Sequence, residues 1–339
     1  MTIDYASSRR TFIQRSAVAI SALTFAPGLS QAKTQKQIRL AFVGLGQQGI
    51  YLIESFLQMD TVKIVGGCDV DENKRARFKK RVDSYYENKG VPDRVNVVED
   101  YRILLNDSNV DAVVIATPDH WHALIAIDAA NAKKHVYLEK PLTFTIYEGQ
   151  KLVEAVRKNN IILSVGSMQR SDPLFQHAVK AVHEGGIGDI ENVSVWLGAN
   201  PHPKPFDLPP EPIPEGLNWD RWSGPAAVVP YNHQLNPPIS VNPPVDEQLW
   251  GAWRWYQGLG GGLMTDWGAH MIDVAQWGLK RDQSGPVKII PVGFEEKDYL
   301  TFVYDDGIEM SLEPVKGDFQ AVKFWGKQGW IEIGRNHFA

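Results

Sequence analysis

A glycine-rich loop, Gly44-Leu45-Gly46-Gln47-Gln48-Gly49, lies between an apolar run, Ile38-Arg39-Leu40-Ala41-Phe42-Val43, and a stretch where Ile50, Ile53, Phe56 and Leu57 recur at helical spacing. Strand, glycine turn and helix in that order are what a dinucleotide-binding βαβ unit requires. Gly44 permits a tight turn, Gly46 lets the backbone approach a pyrophosphate, and Gly49 lets helix and strand pack closely. The helix N-terminus then faces the phosphates. A second apolar run over residues 62–68 ends in Asp69, about twenty residues past Gly49, where a carboxylate accepts hydrogen bonds from an adenosine ribose. Asp69 and Asp71 together would repel a 2′-phosphate and so favour NAD. Lys74 and Arg75 keep NADP open, because either could pair with that phosphate.

The pattern then alternates. Apolar strand candidates at 95–98, 112–116, 135–138 and 161–165 are separated by helical segments such as 122–131 and 146–159, which predicts an α/β fold with a doubly wound parallel sheet and right-handed crossovers. Ligands of such sheets gather at the carboxyl ends of the strands. Two candidate site segments fall there: Thr117-Pro118-Asp119-His120-Trp121-His122 and Glu139-Lys140-Pro141. Thr117, Pro118, His122, Glu139 and Lys140 are therefore expected to join Gly44, Leu45, Gly46, Gln47, Gln48, Gly49 and Asp69 around the cofactor, although for His122 an ordinary loop role is an equal alternative.

Ahead of this unit, Ser8-Arg9-Arg10-Thr11-Phe12-Ile13 and Arg15 precede a small-residue apolar stretch over 17–26, and Ser30-Gln31-Ala32 offers small residues before Lys33. This is the layout of a twin-arginine signal peptide over residues 1–32. The apolar run is too short to span a bilayer, so cleavage is expected rather than a stable membrane anchor. The implied partner is the twin-arginine export machinery, and the implied location is the periplasm. An apolar content of 43% supports a sizeable core, and a formal net charge of −5 gives no reason to expect nucleic acid or anionic lipid as partners. The lone Cys68 reads as strand filler, and the nine histidines are too scattered to suggest a metal site.

At this point the residues carry a resemblance. The glycine loop, Ala116-Thr117-Pro118-Asp119-His120-Trp121-His122, Glu139-Lys140-Pro141-Leu142 and Asp266-Trp267-Gly268-Ala269-His270 resemble the glucose-fructose oxidoreductase and inositol dehydrogenase family (Gfo/Idh/MocA). The resemblance implies a Rossmann domain over 33–160, then an α+β domain over 161–339 with a large open, mostly antiparallel sheet. It also implies a small-molecule sugar or polyol substrate and a homo-oligomer. Lys140, Asp266 and His270 would surround the carbon that exchanges hydride with the nicotinamide. Relatives commonly continue into a further helix, beyond the point at which this chain ends, Ala339.

The second half also reads on its own terms. Strand candidates at 190–197, 287–292, 299–304, 308–312, 321–325 and 330–333, mostly joined by turns, suit an antiparallel sheet. Thirteen of the 21 prolines lie between Pro201 and Pro244, too many for regular structure, so a long ordered loop serving a site or an interface is expected there. Most of the tryptophans at 219, 222, 250, 253 and 255 could equally anchor that loop or stack on a sugar. Arg254, Gln169 and Arg170 are the expected substrate contacts beside the catalytic trio.

A helix starting near Thr265 would carry Asp266, His270 and Asp273 at i, i+4 and i+7, on one face. Hydride removal from a carbinol carbon requires loss of the hydroxyl proton, for which a near-neutral imidazole is an efficient acceptor. His270 is assigned as the general base, Asp266 as its orienter, and Lys140 as the donor that stabilises the substrate oxygen. Asp273 is expected to cap or pack. Three classes follow: an NAD-dependent sugar or polyol oxidoreductase with a tightly retained cofactor, a redox-neutral glycosidase, epimerase or isomerase that uses NAD transiently, and a non-enzymatic sugar-binding protein.

Overall fold

A computed structural model describes residues 37–339, apart from 92–93, 201, 245–246, 248 and 316–318. The expected twin-arginine leader lies outside the described residues. The first sheet contains β1 (Ile38–Val43), β2 (Val62–Cys68), β3 (Asn96–Val98), β4 (Ala112–Ile115), β5 (His135–Leu138) and β6 (Leu163–Val165). Its order is β3-β2-β1-β4-β5-β6 and every pairing is parallel. The sheet takes its last strand from beyond residue 160, the boundary expected for this domain.

The central strands are buried on both faces, and their two-residue period divides the core in two. Leu40 and Phe42 pack with Ile53, Phe78 and Val82 on one side, while Ala41 and Val43 pack with Leu104, Ile125 and Leu152 on the other. The first group meets helices α1 (Gln47–Leu57) and α2 (Glu72–Asn88); the second meets α3 (Tyr101–Leu105), α4 (Asp119–Asn131) and α5 (Ile146–Asn159). Cys68 is buried in the second group, as strand filler. Strand order reverses between β1 and β4, which opens a crevice at their carboxyl ends.

The second sheet contains β7 (Ile190–Trp196), β8 (Lys288–Ile290), β9 (Thr301–Val303), β10 (Glu309–Ser311), β11 (Ala321–Gly326), β12 (Gly329–Gly334) and β13 (His337–Phe338). The order is β13-β12-β11-β7-β10-β9-β8, antiparallel except for the β7–β10 pair. Helix α6 (Pro173–His183) begins with proline at its first turn, capped by the Asp172 side chain, which accepts from Leu174 N at 2.8 Å. Its Phe175, Val179 and Val182 pack with Val193, Val195, Val322 and Phe324 of the sheet.

The other face is not the bare apolar surface that an uncovered sheet would suggest. Lys323 Nζ lies 3.7 Å from the Trp330 ring centroid and 4.2 Å from that of Trp325. It also pairs with Glu332 at 3.4 Å, and Trp325 donates to Ser194 Oγ at 2.8 Å. Cation–π contacts and hydrogen bonds satisfy this face locally.

The proline-rich segment is an arm laid across the nucleotide edge of the first sheet. Asn218 N donates to Val70 O at 3.1 Å, Glu72 N donates to Gly216 O at 3.0 Å, and Arg77 pairs with Glu247 at 2.6 Å. A short helix, α7 (Trp219–Ser223), stacks Trp219 on Trp222 with centroids 4.3 Å apart. These two rings form the arm's own small core with Leu217, Tyr231, Leu235 and Trp253, so they anchor the loop.

Candidate active site

The crevice is built by the glycine loop. Gly44 has φ +89°, and a Cβ there would stand 2.6 Å from the Ala116 carbonyl and from Thr117 N. A Cβ on Gly49 would meet Gly44 O at 2.3 Å, so this glycine is needed for the closure of the turn itself. At Gly46 a Cβ would meet nothing within 4 Å, leaving the backbone bare toward the cavity at the start of α1. An exposed backbone at a helix N-terminus is the cradle that a pyrophosphate requires. Asp69 Oδ2 accepts from Leu45 N at 2.8 Å, fastening β2's end to the loop while its carboxylate lines the cavity. These residues fit a dinucleotide.

Neither competing cation is simply poised for a 2′-phosphate. Arg75 donates to Asp69 O at 2.6 Å, and Lys74 donates to Asn236 of the arm. Gln47 accepts from Leu249 N at 3.0 Å, and Gln48 donates to Glu139 Oε1 at 3.0 Å. Glu139 is 4% exposed, and burial raises its pKa against the opposing pull of Gln48 and Lys140. A Cβ on Gly166 would collide with this carboxyl group, so Gly166 makes room for it.

One continuous cavity of about 760 Å³ joins the glycine loop to Lys140, Asp266 and His270, within the size range of small-molecule sites. Lys140 precedes a cis peptide to Pro141 and donates from Nζ to Asp266 Oδ1 at 2.5 Å and to Asp266 O at 3.2 Å. Arg254 Nε approaches the same carboxylate oxygen at 3.5 Å, with its guanidinium 4.3 Å from the Trp253 ring centroid and 5.1 Å from that of Trp250. Burial works to raise the Asp266 pKa, but Lys140 and Arg254 outweigh it and hold it below the ordinary carboxylate range.

His270 departs from its expected arrangement. The helix is broken into α8 (Gly262–Asp266) and α9 (Gly268–Gly278), with Trp267 at the joint. Asp266 is engaged by Lys140 and Arg254, and His270 Nδ1 is buried without a hydrogen-bond partner. Asp266 thus positions the lysine rather than the imidazole. Burial, followed by the charges of Lys140 and Arg335, lowers the His270 pKa to about 3, while Asp266 acts in the opposite direction. The ring is consequently neutral and proton-accepting, but a weaker base than the near-neutral imidazole expected.

Three other expected contacts are corrected. His122 is 1% exposed, with ring nitrogens 2.7 Å from Pro141 O and 3.0 Å from Thr117 O; it ties the two site loops together and is not a lining residue. Burial lowers its pKa to about 4 against the two carbonyls, which favour the charged ring, and as a neutral imidazole it donates to only one of them. Arg170 is turned away to Asp273 at 2.7 and 2.8 Å and to Asp282 at 2.8 Å, which also explains Asp273 as a packing residue. Gln169 is buried, with Nε2 3.8 Å from Met271 Sδ, and does not line the cavity. Long polar side chains adjacent to a site motif found nearer partners outside the cavity.

Sequence reasoning missed Asp119 and Arg335 as cavity residues. Asp119, the first residue of α4, is 6% exposed, and burial raises its pKa to about 7 against the attraction of Lys140 and Arg254. Its place directly after Pro118 was a usable signal. Arg335 had none: it comes from the turn between β12 and β13.

Fold and site together define a Rossmann dinucleotide-binding protein with a second α/β half closing the cleft. The chain belongs to the Gfo/Idh/MocA oxidoreductase family. Residues 38–167 match the family's NAD-binding Rossmann fold and residues 194–333 match its C-terminal alpha/beta domain. It is 29% identical over 170 residues to the myo-inositol 2-dehydrogenase of Thermotoga maritima, covering 50% of this chain and 48% of that protein. It is 28% identical over 164 residues to an alpha-N-acetylgalactosaminidase of Shewanella oneidensis, covering 47% and 34%. The chain thus spans about half the length, or less, of the curated relatives it matches. In fold it is similar to the crystal structure of a myo-inositol 2-dehydrogenase from Lactobacillus plantarum, with TM-score 0.54, 19% identity and coverage of 88% and 77%.

Proposed function

We propose that this protein is an NAD-dependent oxidoreductase acting on one carbinol or carbonyl carbon of a sugar or polyol. The observation that carries the reading is the Lys140–Asp266 pair at 2.5 Å in the same cavity as the glycine loop, with the unpartnered Nδ1 of neutral His270 beside it. When bound, the dinucleotide would supply the hydride acceptor, cradled by Gly44, Gly46 and Asp69. Lys140, anchored by Asp266, holds the substrate oxygen through its ammonium and stabilises the negative charge that develops there. His270 takes the hydroxyl proton in the oxidation direction and returns it in reduction. Arg254, clamped between two indoles, presents fixed donors to neighbouring hydroxyls. Titration of NAD-supplemented protein with inositols and aldoses, followed by nicotinamide absorbance, tests this reading. No absorbance change with any of them would count against it.

A second reading, a redox-neutral glycosidase, epimerase or isomerase cycle with NAD regenerated in place, is favoured by Asp119. Such a cycle needs a second acid-base group besides His270, and a buried carboxyl with a pKa of about 7 lines the same cavity. The similarity to the alpha-N-acetylgalactosaminidase points the same way. We further propose that the chain is exported by the twin-arginine route, retains its cofactor under the proline-rich arm, and self-associates through the uncovered face of the second sheet.

A further inference from the structure

The substrate end of the cavity carries three cationic side chains, and two of them are accounted for. Lys140 is paired with Asp266, and Arg254 shares that carboxylate while stacked between Trp250 and Trp253. Arg335 is different: among the described residues no carboxylate comes within ion-pair range of it. Its guanidinium carbon instead lies over the Trp267 ring, 4.4 Å from the centroid, with Nη2 3.9 Å from Met168 Sδ. His270 packs against the same indole, ring centroids 6.1 Å apart. A guanidinium and the proposed base therefore flank one tryptophan on the cavity wall.

An arginine at a rim is commonly just a solvated charge. Arg335 is exposed, but it lines the cavity over Trp267, where partial burial lowers its pKa and Asp266 and Asp172 oppose only across space. With no paired anion and its guanidinium carbon over the indole, the donors of the fork remain available to a ligand in the cavity. That fork matches a carboxylate, which accepts two parallel N–H bonds from a guanidinium. A neutral polyol can accept from it through hydroxyl oxygens, but without the opposite charge.

We propose that the substrate is a sugar acid, whose carboxylate Arg335 grips at the cavity mouth while the reacting carbon lies between Lys140 and His270. This deepens the oxidoreductase reading by naming a substrate class, and it rests on that reading for the placement of the reacting carbon. The carboxylate site itself requires only binding.

The test is calorimetric titration of the NAD-supplemented protein with D-glucuronate, D-glucose and D-glucose 6-phosphate, repeated with Arg335→Gln and Arg335→Lys. A charge-assisted pair of this kind corresponds to roughly tenfold in affinity. Glucuronate should therefore bind about tenfold tighter than glucose, with the ratio falling toward one in R335Q and to an intermediate value in R335K. An NAD titration of each variant reports whether it has folded, and R335K carries the test if R335Q has not. Equal affinity for acid and neutral sugar, a preference that survives in the variants, absence of glucuronate binding at millimolar concentration, or tighter binding of the phosphate ester would each overturn the proposal. Nicotinamide absorbance is read separately. Selective glucuronate binding without any absorbance change would sink the oxidoreductase reading and leave the carboxylate site standing.

Discussion

Lys140 Nζ and Asp266 Oδ1 meet at 2.5 Å although 126 residues separate them in the chain. Each comes from the end of a rigid element, β5 for the lysine and α8 for the carboxylate. The pair therefore locks the Rossmann half to the second half at the point where the substrate would react, and places the lysine's charge where an alkoxide would develop.

Removing that charge, or the proton acceptor beside it, should reduce turnover without unfolding the protein. Lys140→Ala and His270→Ala are each expected to lower kcat by about 10²- to 10⁴-fold, with NAD binding retained. Near-normal turnover of either variant on a good substrate would show that the assignment is wrong.

Asp69 both fastens the glycine loop through Leu45 N and faces the cavity where the adenosine ribose would lie. Asp69→Ala should weaken NAD binding and narrow its advantage over NADP. Equilibrium titration with both nucleotides checks this. Tighter NADP than NAD binding in the unmodified protein would move attention to Lys74 and to Asn236, its partner on the arm.

Two buried groups predict opposite slopes of stability with pH. Asp119 has a folded pKa of about 7, raised by burial above the ordinary carboxyl value. Its favourable contribution is complete below the unfolded pKa near 4 and is lost as pH rises through 7, by an amount on the order of a few kcal/mol. Asp119→Asn should remove that loss, so that stability rises with pH between about pH 4 and 7 relative to the unmodified protein. His122, with its folded pKa lowered to about 4, does the reverse, since its contribution is present above the unfolded value near 6.5 and is lost as pH falls through 4. The two oppose each other over this range, and the difference between denaturant midpoints of Asp119→Asn and of the unmodified protein isolates the Asp119 slope. An unchanged profile in Asp119→Asn would argue that the carboxyl is already ionised.

If the protein is exported with its dinucleotide enclosed, the nicotinamide must be reset in place. One oxidisable sugar alone should then give a single stoichiometric rise in bound NADH absorbance, reversed by a second carbonyl substrate or by completion of the cycle on the same molecule. Steady accumulation of free NADH, with rapid exchange of bound for free NAD, would identify an ordinary dissociating dehydrogenase instead.

The uncovered face of the second sheet presents Trp330, 45% exposed, beside Lys323 and Trp325. Sedimentation should show concentration-dependent self-association, weakened by Trp330→Ala. A monomer mass at all concentrations would mean that the local cation–π and hydrogen-bond network suffices to leave the face in water.

Local rules made the first sheet readable. Strand and helix periods, glycine spacing and the carboxylate after β2 are set by neighbours within about thirty residues, and the parallel order, the nucleotide cradle and the role of Gly44 followed from them. The antiparallel character of the second sheet was likewise visible in strands that follow one another without helices. Its β7–β10 pairing was not, because a parallel pairing across that distance leaves no local periodic trace.

Chemistry at the cavity divided differently. Lys140, Asp266 and His270 could be named from their motifs, since residue type and spacing survive in a linear string. Which atom faces which could not. Asp266 turned to Lys140 and Arg254 instead of His270, Arg170 was taken up by Asp273, and His122 was consumed by two backbone carbonyls. A charged or polar side chain goes to whatever partner burial brings within about 3 Å, and that choice is made by segments far apart in the chain. For the same reason Asp119 acquired its raised pKa only through tertiary burial, and Arg335 its place across Trp267 from His270 only when the second half folded.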